Sequence, residues 1–418
     1  MSRARMLGTW AWIVGGAGVA IGGIAAFLVS QGNPGNMGLC IACFLRDSAG
    51  FFAGGPLNMS AVAYVRPEIV GLILGSALAA LAFGEFRARG GSSPLIRFVL
   101  GFIFMASALI FLGCTVRAWL RLGGGDLNAL YGIAGIVAGV LAGTILLRNG
   151  FNLGRSRGLS RAAGMAGPAV AGVLLVVAVL AVFAGRPPFV TVTPAGAKAT
   201  AEKAVISPNG EVLKPEGAQL VGGSIVDAAG TVVSPKESVE AAKPLPGGSR
   251  APFLVSLIAG LVLGVVAQKS RFCSIGGIRD AILVRRFELL FGVAGLVAGA
   301  VAINAVLGQF KLGFEDQPIA HTDALGNFAA MGVAGLAAVL LGGCPFRQVV
   351  MMGEGDLDAV AAVAGMGAGA VFSHGFGLAS TGSGLASYAW PALLVMATVL
   401  AVVGLYKREQ LVAVPAES

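Results

Sequence analysis

The chain has 418 residues, of which 56% are hydrophobic and only 12% charged, and its mean hydropathy is +0.85. Soluble domains carry about 25% charged residues, so this composition excludes an ordinary soluble protein and predicts one that crosses a membrane several times. The net charge of +9 does not predict a nucleic-acid partner, because the basic residues are scattered between apolar segments without interleaved aromatic side chains.

Ten apolar segments are long enough to cross a bilayer, which takes roughly 20 residues per helix. Glycines form rows within them, as at Gly15, Gly16 and Gly18, and small residues let transmembrane helices approach closely. The predicted fold class is therefore an all-α polytopic membrane protein. The segments lie near residues 8–30, 68–86, 95–113, 130–148, 166–185, 252–268, 288–308, 326–344, 358–377 and 388–406.

A polar stretch of about residues 187–250 divides the chain into a first transmembrane repeat, residues 1–186, and a second, residues 251–418. Its composition, rich in Pro, Gly, Lys and Glu, predicts a soluble insertion. Residues 206–215 and 226–235 each place apolar pairs around a glycine-containing turn, a pattern typical of a β-hairpin. The insertion is thus predicted to be small and either β-rich or flexible.

The Lys and Arg residues of the short loops fall mainly on one side when successive segments alternate across the membrane. This bias predicts cytoplasmic termini and a periplasmic insertion. Each repeat contains five spans, an odd number, so the second repeat enters the membrane from the other side. An inverted 5+5 repeat with short re-entrant helices is a common transporter design, in which the substrate binds near the midplane.

A signature of cysteine, arginine and acidic residues occurs once in each repeat. The spacing from the first cysteine to the first arginine is the same in both copies, and so is the spacing from the second cysteine to the final aspartate. The first copy contains Cys40, Arg46, Asp47, Cys114, Arg117 and Asp126, and the second contains Cys273, Arg279, Asp280, Cys344, Arg347 and Asp356.

The arginines of the signature are expected to face the protein interior, because an arginine in lipid costs roughly 2.5 to 3.5 kcal/mol. Cys43, Cys114 and Cys344 each precede an arginine by three residues, which places thiol and guanidinium on one face of a helix. Such a pair suits a soft sulfur- or selenium-containing anion, since the positive charge attracts anions and lowers the thiol pKa.

Simpler roles remain open for several of these residues. Asp47 and Asp280 are placed to neutralise the adjacent arginines, and Asp126 and Asp356 follow glycine-rich turns, a position typical of helix N-caps. A free cysteine is often only a small buried apolar residue. Cys43 has Gly276 as its counterpart in the second copy, so it is an accessory candidate.

The Cys-x-x-Cys spacing of Cys40 and Cys43 also occurs in redox and metal sites. A zinc site needs four ligands, however, and the two histidines, His321 and His374, are far away in the sequence. No metal and no cofactor are therefore predicted.

Six blocks of the chain resemble the YeeE/YedE family of membrane proteins, and most closely its selenium-metabolism branch. The resemblance covers most of the chain outside the insertion and implies an hourglass-shaped helical carrier, in which loop cysteines pass thiosulfate inward. Cys40, Cys114, Cys273 and Cys344 would then lie at the constriction. Thr115 departs from the proline usual in that branch and present at Pro345. The blocks are residues 33–44, 66–69, 89–94, 113–129, 273–280 and 343–347.

The prediction is an inner-membrane transporter, not an enzyme, for a small chalcogen anion such as thiosulfate or selenite. Its partners would be the lipid bilayer and a cytoplasmic sulfur or selenium acceptor protein. The alternatives are a membrane thiol-redox protein or persulfide relay, and a structural scaffold. The predicted pathway contains Cys40, Cys114, Cys273, Cys344, Arg46, Arg117, Arg279 and Arg347, with Cys43, Asp47, Asp280, Asp126 and Asp356 as accessory residues.

Overall fold

The computed structural model describes residues 3–53, 64–183 and 250–407, together with five short strands between residues 205 and 234. The described residues are overwhelmingly helical. The first repeat contains α1 Arg3–Ser30, α2 Ile41–Ala53, α3 Pro67–Ala82, α4 Pro94–Phe111, α5 Thr115–Gly123, α6 Asn128–Arg148, α7 Arg161–Gly164 and α8 Ala166–Phe183. The second contains α9 Phe253–Ser270, α10 Ser274–Val284, α11 Glu288–Val306, α12 Ala324–Leu341, α13 Pro345–Gly353, α14 Leu357–Gly375 and α15 Ala389–Tyr406.

Eight helical stretches of the described chain are long and apolar enough to cross a membrane. In three of them a long helix continues into a short one, namely α4 into α5, α9 into α10 and α12 into α13. Two shorter apolar helices, α3 and α8, bring the candidates to the ten that the sequence predicts. The predicted all-α polytopic membrane fold is confirmed.

The two repeats pack against each other through matching pairs of helices, one helix from each repeat. Helix α1 packs along α11 as α9 packs along α3, and α6 packs along α12 as α14 packs along α4. Helices α1 and α9 run in opposite directions, because the backbone N–H of Ala251, just before α9, donates to Asn33 Oδ1, just after α1, at 2.9 Å. Corresponding helices of the two halves therefore make corresponding contacts, and α1 and α9 run in opposite directions, as an inverted repeat requires.

Glycines permit this close packing. A Cβ atom added at Gly22 in α1 would overlap the carbonyl oxygen of Leu296 in α11, and one at Gly75 in α3 would overlap that of Leu261 in α9. The helices contact each other through their backbones, as expected where lipid provides no hydrophobic drive for helix association.

We expect Gly22→Leu to destabilise the protein by about 3 kcal/mol or more, because the side chain would have to push two packed backbones apart. Thermal unfolding in detergent measures the effect as a lowered Tm. Gly16→Leu in the same helix is the control, since nothing lies within 4 Å of a Cβ at Gly16. Equal Tm values for the two variants would contradict this packing of α1 on α11.

Both hairpins predicted in the insertion are present. Strands β3 (Val205–Ile206) and β4 (Val212–Leu213) pair antiparallel, as do β6 (Ser224–Val226) and β7 (Val232–Ser234). Strand β5 (Gln219–Val221) adds to β6. The rest of the predicted insertion, residues 187–250, lies outside the described residues except for Arg250.

The bundle has two ends, which differ in charge. The insertion face comprises residues 31–39, 64–66, 124–127, 250–252 and 308–323, and its described arginines and lysines are Arg66, Arg250 and Lys311. The opposite face comprises residues 83–93, 149–160, 271, 285–287 and 354–356, where β1 (Arg89–Gly90) pairs with β2 (Arg157–Gly158). Most basic residues of the short connections lie at or next to the opposite face, namely Arg87, Arg89, Arg97, Arg148, Arg155, Arg157, Arg161, Arg285, Arg286 and Lys407.

Candidate functional site

Four short helices begin inside the protein, each directly after a cysteine. Cys40 precedes α2, Cys114 precedes α5, Cys273 precedes α10 and Cys344 precedes α13. All four cysteines are buried, with no more than 6% of each residue exposed. Helix N-termini carry partial positive charge from unsatisfied N–H groups, so these four ends favour a negatively charged group.

The first thiol cluster consists of Cys40, Cys43 and Cys114. Cys40 Sγ lies 2.7 Å from Cys43 Sγ, and Cys114 lies close enough to Cys40 for the two thiols to interact. All three thiols are free. The first repeat thus gathers three sulfur atoms at the starts of α2 and α5.

The second thiol cluster consists of Cys273 and Cys344. Cys273 Sγ lies 3.6 Å from Cys344 Sγ and accepts hydrogen bonds from the backbone N–H groups of Gly276, at 3.2 Å, and Cys344, at 3.4 Å. The pair is the counterpart of Cys40 and Cys114, with one cysteine from each short helix of the repeat.

A polar contact joins the two thiol clusters. Thr115 Oγ1, next to Cys114, lies 3.1 Å from Ser274 Oγ, next to Cys273. Both side chains are buried. Thr115 therefore provides a hydroxyl group between the repeats. The matching residue of the second copy is Pro345, whose ring is apolar.

Arg117 is fully buried on the insertion-face side of the first thiol cluster. Its guanidinium donates to the carbonyl oxygens of Asn36 at 3.1 Å, Ile319 at 3.0 Å and Leu112, and to Cys43 Sγ at 3.8 Å. No carboxylate of the described residues pairs with it. A buried guanidinium whose positive charge is not neutralised by a carboxylate attracts an anion.

Arg347 occupies the matching position in the second repeat but has different partners. Its guanidinium binds Glu354 through two hydrogen bonds of 2.9 Å each. Cys344 is the N-cap of α13, and the Arg347 side chain extends to Glu354 at the other end of that helix, so no contact between the Cys344 thiol and the Arg347 guanidinium is recorded among the described residues. Cys114 is likewise the N-cap of α5, so Arg117 contacts Cys43 instead.

Arg46 and Arg279 form ion pairs with the adjacent aspartates. Arg46 binds Asp47 at 2.6 Å, and Asp47 also binds Arg66 at 2.6 Å. Arg279 binds Asp280 at 2.8 Å, and both side chains are about a quarter exposed. The neutralising role considered for the two aspartates agrees with this geometry.

The remaining aspartates of the signature stabilise helix starts. Asp356 caps α14 by accepting the N–H of Ala359 at 3.1 Å, as predicted. Asp126 accepts the N–H of Asn128, the first residue of α6, and also forms a 2.6 Å ion pair with Arg121 in which both side chains are fully buried.

The described residues include no group of three or more His, Cys, Asp or Glu side chains arranged to hold a metal ion. Beside the two thiol clusters lie hydroxyls, guanidinium groups and helix N-termini. That combination suits a small soft anion rather than a cation, which would need oxygen ligands.

Known proteins provide a partial match. The chain is similar to the thiosulfate transporter TsuA of Escherichia coli (strain K12). The two are 32% identical over 102 residues, which is 24% of this chain and 28% of that protein. The chain thus matches only about a quarter of the length of this curated relative, and no family model matches the chain.

Several residues of the site are not predicted from the sequence. Arg121, Arg271 and Glu354 form ion pairs with partners five or more residues away, and Thr115 contacts a residue of the other repeat. One feature of the sequence could have identified Glu354 and Arg271 as site residues. Both are charged residues inside or beside a motif copy, at positions where the other copy has glycine.

Proposed function

We propose that this chain is an inner-membrane transporter of small sulfur- or selenium-containing anions, with thiosulfate and selenite as the candidate substrates. The apolar helices, the inverted repeat and the partial similarity to a thiosulfate transporter support a transporter. The thiols and arginines of the site support a soft anion as its substrate.

The proposed pathway runs from the insertion face to the opposite face. The anion is attracted by Arg117, contacts the first thiol cluster, passes the hydroxyls of Thr115 and Ser274, contacts the second thiol cluster and leaves past Arg347. The observation that carries this proposal is the 3.1 Å contact between Thr115 and Ser274, which connects the thiol clusters of the two repeats. Arg46 and Arg279, each paired with an aspartate, would contribute to the electrostatic potential of the pathway.

The charge of the two faces supports an orientation of the protein in the membrane. Basic residues concentrate in cytoplasmic loops of membrane proteins, which makes the opposite face cytoplasmic and the insertion face periplasmic. The same orientation would present the exit of the pathway to a cytoplasmic protein that accepts sulfur or selenium.

Uptake of labelled thiosulfate and selenite tests this proposal in cells that lack their own uptake systems. We expect the parent protein to import at least one label above background, and Cys114→Ala and Cys344→Ala to slow that import without abolishing expression. If neither label enters above the level of empty cells, the proposed substrates are wrong.

A persulfide relay is a second candidate, favoured by the 2.7 Å separation of Cys40 Sγ and Cys43 Sγ. In a relay, a cysteine thiolate would attack the outer sulfur of thiosulfate, forming a cysteine persulfide and releasing sulfite. Mass spectrometry after incubation with thiosulfate separates the two functions. Transport without covalent transfer predicts an unchanged protein mass, whereas a relay predicts an added sulfur atom that Cys40→Ser removes.

A further inference from the structure

The two copies of the signature differ at several matched positions, two of which are a glycine in the first copy and a charged residue in the second. Glu354 lies ten residues after Cys344, and Gly124 lies ten residues after Cys114. Arg271 lies two residues before Cys273, and Gly38 lies two residues before Cys40. Each charged residue of the second copy therefore has a glycine as its counterpart in the first copy.

In the second repeat, these two residues belong to a chain of ion pairs that leads from Arg347 to the surface of the opposite face. Glu354 Oε1 accepts from Arg347 at 2.9 Å and from Arg271 at 2.8 Å, and Arg271 continues to Glu85 at 2.8 Å. Glu354 is also held through its backbone, since its carbonyl oxygen accepts the N–H of Arg87.

Glu85 forms the outer end of this chain of ion pairs. A hydrogen bond from Gln268 and an ion pair with Lys269 hold the pKa of Glu85 below its ordinary value, so its carboxylate stays charged at neutral pH. The chain ties the end of α9 to the end of α13 and to the connection between α3 and α4. Segments of both repeats are thus fastened together at the exit of the proposed pathway.

Among the described residues, no ion pair links Arg117 to the matching positions Gly124 and Gly38 of the first repeat. Where Glu354 and Arg271 would have counterparts, Gly38 lines a small cavity of about 10 Å³ together with Asn36 and Asn304. The Asn36 side chain reaches towards Gly124, and the Asn36 carbonyl oxygen accepts from Arg117. Arg117 has no carboxylate partner among the described residues and can pair with an anion, whereas the charge of Arg347 is compensated by Glu354.

We propose that Glu354 is a latch that closes the pathway at the second thiol cluster and occupies Arg347 in place of the anion, while at the first thiol cluster, where Gly124 replaces Glu354, the anion binds Arg117. This inference rests on the proposed function for the identity of the anion. The latch itself concerns only the access to Cys273 and Cys344. Opening then requires Glu354 to leave Arg347, and an anion that reaches Arg347 competes for the same guanidinium.

The latch is tested by the rate at which N-ethylmaleimide alkylates each cysteine of the purified full-length protein, followed by mass spectrometry. We expect Glu354→Gln to speed alkylation of Cys273 and Cys344 roughly tenfold, because Arg347 and Arg271 lose their shared partner and repel each other. Alkylation of Cys114 should stay within about twofold of the parent rate, since Glu354 does not contact the first thiol cluster.

Glu85→Gln is the matched control, because it removes a carboxylate that binds Arg271 but leaves the pair of Arg347 and Glu354 intact. Arg347→Gln breaks the same pair from the other side and repeats the test should Glu354→Gln fail to fold. If Cys344 is alkylated at the same rate in the parent and in a folded Glu354→Gln or Arg347→Gln variant, the latch is wrong.

A titration with thiosulfate separates failure of the latch from failure of the proposed function. If Glu354→Gln speeds alkylation but thiosulfate neither binds nor protects any cysteine, the latch stands and thiosulfate is the wrong anion. If thiosulfate binds in a manner that Arg117→Gln abolishes, while Glu354→Gln leaves alkylation unchanged, the proposed function stands and the latch is wrong.

Discussion

Uptake of thiosulfate is expected to fall about a hundredfold when Arg117 is replaced by glutamine. The guanidinium is fully buried and donates only to carbonyl oxygens and to Cys43 Sγ among the described residues. Glutamine retains hydrogen-bonding capacity but removes the positive charge that would hold the anion at the first thiol cluster. Initial uptake rates in proteoliposomes, corrected for the amount of protein, measure the loss.

Arg46→Gln is the control for this loss. Arg46 also lies in a short helix of the first repeat, but its charge is compensated by Asp47, which keeps Arg66 as a second partner. We expect uptake by Arg46→Gln to remain within about threefold of the parent rate. Equal rates for Arg117→Gln and the parent would show that the anion does not depend on Arg117.

Replacing Asp126 by asparagine is expected to destabilise the fold by about 3 to 5 kcal/mol, because it leaves the guanidinium of Arg121 buried without its counter-charge. The two side chains are fully buried and 2.6 Å apart. Asparagine preserves the size of the side chain and an oxygen that accepts the N–H of Asn128, so the loss reports on the charge. Thermal unfolding in detergent measures it as a lowered Tm.

The double variant Asp126→Asn, Arg121→Met controls for this effect. Removing both charges leaves no unpaired buried ion, so most of the lost stability should return. A double variant as unstable as Asp126→Asn would show that the lost stability does not come from the unpaired charge of Arg121.

The main features of the fold follow from local patterns in the sequence. The apolar segments predict the ten candidate spans, and the equal spacings from Cys40 to Arg46 and from Cys273 to Arg279 predict two related halves. These signals are readable because bilayer thickness fixes span length and because duplication leaves matched residues. The two hairpins of the insertion are equally local, since apolar pairs flank a short turn in each.

The ion pairs of the site depend on contacts that spacing does not determine. The three residues from Cys344 to Arg347 suggest a shared helix face, but α13 begins after the cysteine and the arginine finds Glu354 at the other end of the helix. Cys43 lacks a counterpart in the repeat, yet it lies between Cys40 and Arg117 because the loop before α5 approaches α2. Such partners follow from packing between distant segments.

The central claim is that the two thiol clusters lie on one pathway and do not form two separate sites. Initial uptake rates of Cys114→Ala, Cys344→Ala and the double variant test it most directly. If the clusters act in series, each single change slows uptake roughly tenfold, and the double variant is little slower than the worse single one. If each single variant instead keeps about half of the parent rate and only the double variant fails, the clusters work independently and the claim of one pathway is wrong.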